Sequence, residues 1–346
     1  MILKNKQFWG TIIAVGLLAY CIKDVTLTDM KLLLEGVNYY YLIPSVVASF
    51  LFIILKALRW RVILSQRKVL SIRRAVTLFS AGQILNIMMP VLTGQVGRIF
   101  LFSKKEKIRK TFIFSTILLE VIFDALSLVV FLYLTSLAFA FPEKYREMSR
   151  ILFIVTSIIV IALYVLIHHR QKIENFWEKI LKKKSPSLYV GVKKFIRSFT
   201  RGMELLKSSQ HLLSSMLYSI ISWGLHALVV YFLLLSFGLD LPFAAAAAVM
   251  IINTLAVMIP VTPGNAGTFE LAVSSSLAVF AVGRTDAVLF ALALHLIDLI
   301  PIFVLGYIYL HYERVSLKEI KSSHADDSVY TRVDEEGQFV EERGSA

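Results

Sequence analysis

Apolar residues run through this chain in long blocks rather than in stripes. The blocks fall near residues 7–22, 39–58, 111–140, 151–167, 211–237 and 287–310. Most reach the roughly 20 residues that a helix needs to cross about 30 Å of hydrocarbon. None alternates polar and apolar positions as a barrel strand does. Backbone in lipid must pair its own N–H and C=O groups, so the blocks predict helices. Two further stretches, 75–102 and 243–282, are as apolar but are broken midway by proline and glycine.

Basic residues decide how the broken stretches run. Arg59 to Arg74 holds six Lys/Arg and no acid, Lys104 to Lys110 holds five with one acid, and His168 to Gln210 holds eleven with three. Segments 23–38, 142–150, 238–242 and 283–286 hold only six among them. Short loops rich in Lys and Arg stay on the cytoplasmic side. A single crossing at 75–102 would put two strongly basic segments on opposite faces, so that stretch is expected to dip in and return. Stretch 243–282 then does the same from the other face. The expectation is an all-α polytopic membrane protein with six full transmembrane helices, two opposed re-entrant helical hairpins and both termini cytoplasmic.

Composition agrees, with 57% hydrophobic residues and a mean hydropathy of +0.70. The formal charge of +13 would suggest a polyanion partner in a soluble protein. Here the basic residues lie between spans, which explains them without nucleic acid. The single cysteine, Cys21, excludes an intramolecular disulfide framework. Residues 8–22 lack a small-residue cleavage site before Lys23, so they are read as a first span and not as a leader.

The two breaks share a pattern. The first reads Pro90-Val-Leu-Thr-Gly94-Gln-Val-Gly97, and the second reads Pro260-Val-Thr-Pro263-Gly264-Asn-Ala-Gly267. Both are P-x-x-x-G-x-x-G at an offset of 170 residues, with Asn86 and Asn253 ahead of them. Each follows two full spans and precedes one. Glycine and proline are common in membrane helices, but matched places in halves of opposite orientation indicate an inverted repeat, as in many secondary transporters. Repeat 1 covers about 7–140 and repeat 2 about 151–311. Broken backbone at membrane depth persists only where protein or a wet cavity satisfies it. Half-helix N-termini also present free N–H groups, so two tips meeting near the midplane would suit an anion.

Ionisable residues inside spans are costly and mark candidate sites. Arg98 follows the first break, and Glu120 and Asp124 lie four apart on the next span. Glu270 follows the second break, and His295 and Asp298 lie three apart on the last span. A structural reading stands beside the functional one, with such groups locking hairpins to spans, for example Arg98 to Glu120. Arg98 suits a headgroup phosphate, while Glu120, Asp124, Glu270, His295 and Asp298 suit coupling or gating. Arg59 and Arg61, at a cytoplasmic helix end, are expected to snorkel. No nucleophile elbow, Walker loop, HExxH or Cys/His metal spacing occurs, so neither an enzyme nor a metal or other cofactor is expected.

Between the halves, residues 170–208 form a cytoplasmic amphipathic hairpin. Ile173, Phe176, Trp177, Ile180 and Leu181 share one face, and Leu188, Val192, Phe195, Ile196, Phe199, Met203 and Leu206 another. Basic residues fill the opposite faces, as on a helix lying on an anionic leaflet. A docking site for a soluble partner is the alternative. Residues 312–346 read as a polar, disordered tail after a transmembrane domain of residues 1–311.

The segments LNIMMPVLTGQVGR, LLEVIFDAL and MIPVTPGNAGTFE resemble a flippase-like family related to the transmembrane region of lysylphosphatidylglycerol synthases. The resemblance spans roughly residues 7 to 311. It matches the family's recurring positions at Pro90, Gly94, Arg98, Glu120, Asp124, Pro260, Pro263, Gly264, Gly267 and Glu270. Gln95, Val121 and His295 depart from it, standing where glutamate, arginine and arginine are common. The family implies a transbilayer lipid transporter in the inner or plasma membrane of a prokaryote, moving a phospholipid or polyprenyl-phosphate lipid between leaflets. The headgroup would meet Arg98, Asn86, Gly94, Gly97, Asn253, Gly264 and Gly267. An integral-membrane transferase using Glu120 and Asp124 is one alternative, and a membrane anchor for a lipid-modifying enzyme is another. Beyond the lipid, the candidate partners are that enzyme or a second copy of the chain in a homo-oligomer.

Overall fold

The computed structural model describes residues 6–65, 67–88, 93–137, 143–182, 186–203, 208–258 and 262–312. The first half holds α1 (Lys6–Ile22), α2 (Leu27–Gly36), α3 (Tyr39–Leu64), α4 (Ile72–Met88), α5 (Thr93–Glu106) and α6 (Lys110–Ser136). The second holds α7 (Glu143–His168), α8 (Arg170–Leu181), α9 (Pro186–Gly202), α10 (Ser209–Ser236), α11 (Phe243–Val257), α12 (Thr268–Ala278) and α13 (Arg284–Tyr312). The protein is an all-α polytopic membrane protein. Four of its helices, α3, α6, α10 and α13, are each long and apolar enough to cross a membrane. The remaining two expected spans are also helices, α1 with 17 residues and α7 with 26.

Three boundaries differ from the expected ones. Segment 142–150 was expected to be an outer connection, yet α7 begins at Glu143 and includes Arg146, Glu147 and Arg150. Segment 23–38 contains α2, because Thr26 and Asp29 close a capping box, with the Asp29 N–H donating to Thr26 Oγ1 at 3.1 Å. Helix α3 runs on to Leu64, so Arg59 is not at a helix end. Pro90, Pro260 and residues 313–346 lie outside the described residues.

The broken stretches are helical hairpins. Helices α4 and α5 pack on each other, as do α11 and α12. Their lengths are 17, 14, 15 and 11 residues. At 1.5 Å per residue none exceeds about 26 Å, short of the roughly 30 Å of hydrocarbon. Length and packing thus fit hairpins that enter and return.

The packing follows an approximate twofold relation. In the first half α3 meets α4, α5 meets α6, and α3 meets α6. In the second half α10 meets α11, α12 meets α13, and α10 meets α13. Across the halves, α4 lies on α13 and α11 lies on α6, while α3 and α10 run along each other. Ser45 Oγ donates to Val229 O and Ser49 Oγ to Ile297 O, both at 2.8 Å, satisfying buried hydroxyls across helices. Ala245 to Ala248 on α11 are buried, and these small side chains let α11 sit deep in the core.

The amphipathic pair sits on the bundle. Phe199 of α9 and Met203, just past its end, pack with Leu119, Ile122 and Phe123 of α6. Glu174 of α8 is paired with Arg197 of α9 at 3.2 Å. Phe176, Trp177, Leu188 and Phe195 remain exposed.

Candidate functional site

The hairpin tips bring the two halves together. In the first hairpin a Cβ on Gly94 would lie 2.6 Å from Asn86 Cα, so only glycine lets α5 pass α4 there. Gly97 is buried one turn later. In the second, Pro263 opens a 3-10 turn over Pro263–Asn265. Gly267 follows at φ 82, a left-handed conformation, and its N–H donates to Glu270 Oε2 at 2.6 Å. Helix α1 closes on this tip, since a Cβ on Gly267 would meet Leu17 Cβ at 2.5 Å. The second tip meets the end of α4, where a Cβ on Gly264 would stand 3.2 Å from Ile87 Cγ2.

Beside this junction lies a cavity of about 260 Å³. The first hairpin contributes Gln83 and Asn86, α11 contributes Asn253 and Thr254, and the second tip contributes Thr262, Gly264 and Asn265. Trp223 and His226 line it from α10, and His295 and Asp298 from α13. The side-chain oxygens of Asn253 and Asn265 are buried there without a hydrogen-bond partner. Of the residues singled out from sequence, Asn86, Asn253, Gly264, His295 and Asp298 meet at this cavity. Arg98, Glu120, Asp124 and Glu270 are not in its lining. Trp223 and His226 were missed, although an ionisable His226 inside the apolar run of α10 was a signal in plain view.

Each carboxylate has a partner. Arg98 Nη2 donates to both Glu120 oxygens at 2.8 Å, and the rings of Phe79 and Phe102 lie 4.8 and 5.2 Å from its guanidinium. On the other hairpin Glu270 Oε1 is 2.6 Å from His295 Nδ1, and His295 Nε2 is 3.0 Å from Gly264 O. A carbonyl only accepts, so Nε2 carries a hydrogen and the remaining contact needs a second proton, on His295 or on Glu270. This assignment follows from the hydrogen-bond network, and it makes the pair neutral while holding one shared proton. Phe269 stacks on the imidazole at 4.3 Å.

A second pair of contacts ties the outer spans. Asp124 accepts from Lys56 Nζ at 3.1 Å and from Trp223 Nε1 at 3.0 Å. His226 Nε2 lies 3.2 Å from both oxygens of Asp298. Lys56 and His226 are 170 residues apart, the offset of the two glycine motifs. Thus α3 is joined to α6, and α10 to α13, through a basic group and an aspartate. Glu120 and Asp124, expected to act as neighbours on one face, serve different partners. Arg59 does not snorkel. It is fully buried, with Nη1 donating to Asp124 Oδ1 and Ser219 Oγ at 2.6 Å.

Comparison with known proteins agrees with this architecture. Residues 7–306 match a family model described as the lysylphosphatidylglycerol synthase TM region. A UPF0104 membrane protein of Pyrococcus horikoshii is 26% identical over 262 residues, covering 68% of this chain and 76% of that protein. A UPF0104 membrane protein of Methanocaldococcus jannaschii is 25% identical over 245 residues, covering 69% and 98%. No solved structure matches.

Proposed function

Because the chain belongs to the lysylphosphatidylglycerol synthase TM-region family, we propose that it moves a lipid headgroup between the leaflets of a prokaryotic cell membrane, with both termini cytoplasmic. The observation that carries this reading is the polar cavity where two broken hairpins from opposite halves touch. Its size suits a headgroup, and acyl chains stay in the bilayer. Its amides, hydroxyls and imidazoles offer donors and acceptors that replace water around a polar group. Rocking of one half against the other then exposes the cavity to each leaflet in turn. Glu270–His295 and His226–Asp298 supply protonatable joints at the hinge of that motion.

The transferase reading, resting on Glu120 and Asp124, loses support because cations hold both carboxylates. The test is reconstitution of the purified chain into vesicles with headgroup-labelled lipids confined to one leaflet. Transport predicts decay of that asymmetry several-fold faster than in empty vesicles, slowed when Asn86→Leu and Asn253→Leu fill the cavity. Decay no faster than in empty vesicles for every lipid class tested, or release of a new covalent product, would overturn it.

A further inference from the structure

Charge is unevenly distributed around the cavity. Arg98 and Glu120 form a one-to-one pair, closed off at 3% and 6% side-chain exposure. Lys56 and Arg59 instead share the single carboxylate of Asp124. Within this cluster two basic side chains therefore face one carboxylate at membrane depth, where an unmatched charge is expensive. This group is also reachable, since Lys56 and Asp124 are 15% and 23% exposed. Arg59 Nε has no hydrogen-bond partner although the residue is fully buried. Ser215 Oγ, one turn from the Ser219 that Arg59 contacts, is likewise buried and unpartnered.

The cluster shares a wall with the cavity. Trp223 lines the cavity and donates to Asp124 on its other side. Lys56 lies 4.5 Å from the Trp223 ring and 4.8 Å from that of Phe52, which stacks on the cavity residue His226. A ligand in the cavity thus has a cationic shelf beside it.

We propose that Lys56 and Arg59 form an anion subsite that takes a phosphate group carried at the edge of the cavity. An ammonium, a guanidinium and hydroxyls suit the several oxygens of a phosphate. A phosphodiester brings one negative charge, which is the charge the cluster lacks. The phosphate of a lipid headgroup and free phosphate share this chemistry. The inference rests on the cavity being the ligand path, but it concerns binding and is tested apart from transport.

The measurement is native mass spectrometry of the full chain in detergent, with phosphatidylglycerol, with a phosphate-free diacylglycerol, and with inorganic phosphate alone. The wild type is expected to retain phosphatidylglycerol over diacylglycerol. Lys56→Gln, which leaves the Arg59–Asp124 contact in place, should lower that retention about tenfold, and Lys56→Arg should keep it. Asp124→Asn should raise retention, because it removes the competing carboxylate; a purely structural bridge predicts no gain. Inorganic phosphate retained in place of lipid, and lost in Lys56→Gln, would uphold the subsite while making free phosphate its ligand and counting against lipid transport. Equal retention of both lipids, with no phosphate bound, would overturn the subsite. So would unchanged retention in Lys56→Gln.

Discussion

Arg98 is enclosed between two aromatic rings and spends its outer nitrogen on Glu120. Removing it takes away the guanidinium that binds both Glu120 oxygens and leaves that buried carboxylate only the more distant charges of Lys56 and Arg59. Arg98→Ala is therefore expected to destabilise the protein by about 3–5 kcal/mol, read from denaturant unfolding in detergent. The double change Arg98→Ala with Glu120→Leu should recover part of that loss. A loss no larger than about 1 kcal/mol, the size of an exposed pair, would mean that polar solvent already reaches Glu120. The sequence places Arg98 and Glu120 on neighbouring elements, so their pairing was legible as an option. What it could not display is rotation about each helix axis, which decides whether a side chain meets a cavity or a neighbour. That rotation put Asn86, Asn253, His295 and Asp298 at the cavity and turned Arg98 away from it. His226 escaped notice because its partner, Asp298, is 72 residues distant and no local pattern joins them.

Elements show the same division. The apolar blocks announced every long helix, because burial in lipid needs only length and composition. Helix α2 was readable too, from Thr26 and Asp29 three residues apart, but short polar segments between spans pass easily for loops. Its cap predicts a pH response. The Thr26 hydroxyl and backbone N–H hold the Asp29 carboxyl below the usual carboxylate range. Its contribution is present above the unfolded value of about 3.9 and is lost as pH falls through the lowered folded value. Amide exchange at the start of α2 should accelerate over that window, and Thr26→Ala should flatten the dependence. Gly94→Ala would force α4 and α5 apart at their neck and should cost about 1–3 kcal/mol by thermal unfolding. Met203→Ala, at a fully buried residue that directly follows α9, should cost about 2–5 kcal/mol. An unchanged transition in Met203→Ala would mean that α9 does not seat on α6 in the purified protein.

At the scale of the molecule, the two halves share a plan but not the strength of their cross-contacts. Helix α4 lies along α13 so closely that a Cβ on Gly306 would meet Ser80 C at 3.0 Å. Its counterpart seam, between α11 and α6, is much shorter. On the proposed transport reading, two copies of one plan in different postures would record a stroke, with each half displaying the posture that the other takes. Exchanging them would lengthen the α6–α11 seam, loosen α4 from α13 and carry the cavity's mouth toward the opposite leaflet. Gly306→Val wedges the long seam and should favour the exchanged form. A cysteine placed at Asn253 would then change the side from which impermeant reagents reach it, and unchanged sidedness in a folded variant would count against exchange. In mechanical terms, Gly306 is the clearance in a latch, and the branched side chain of valine is the wedge that would hold it open.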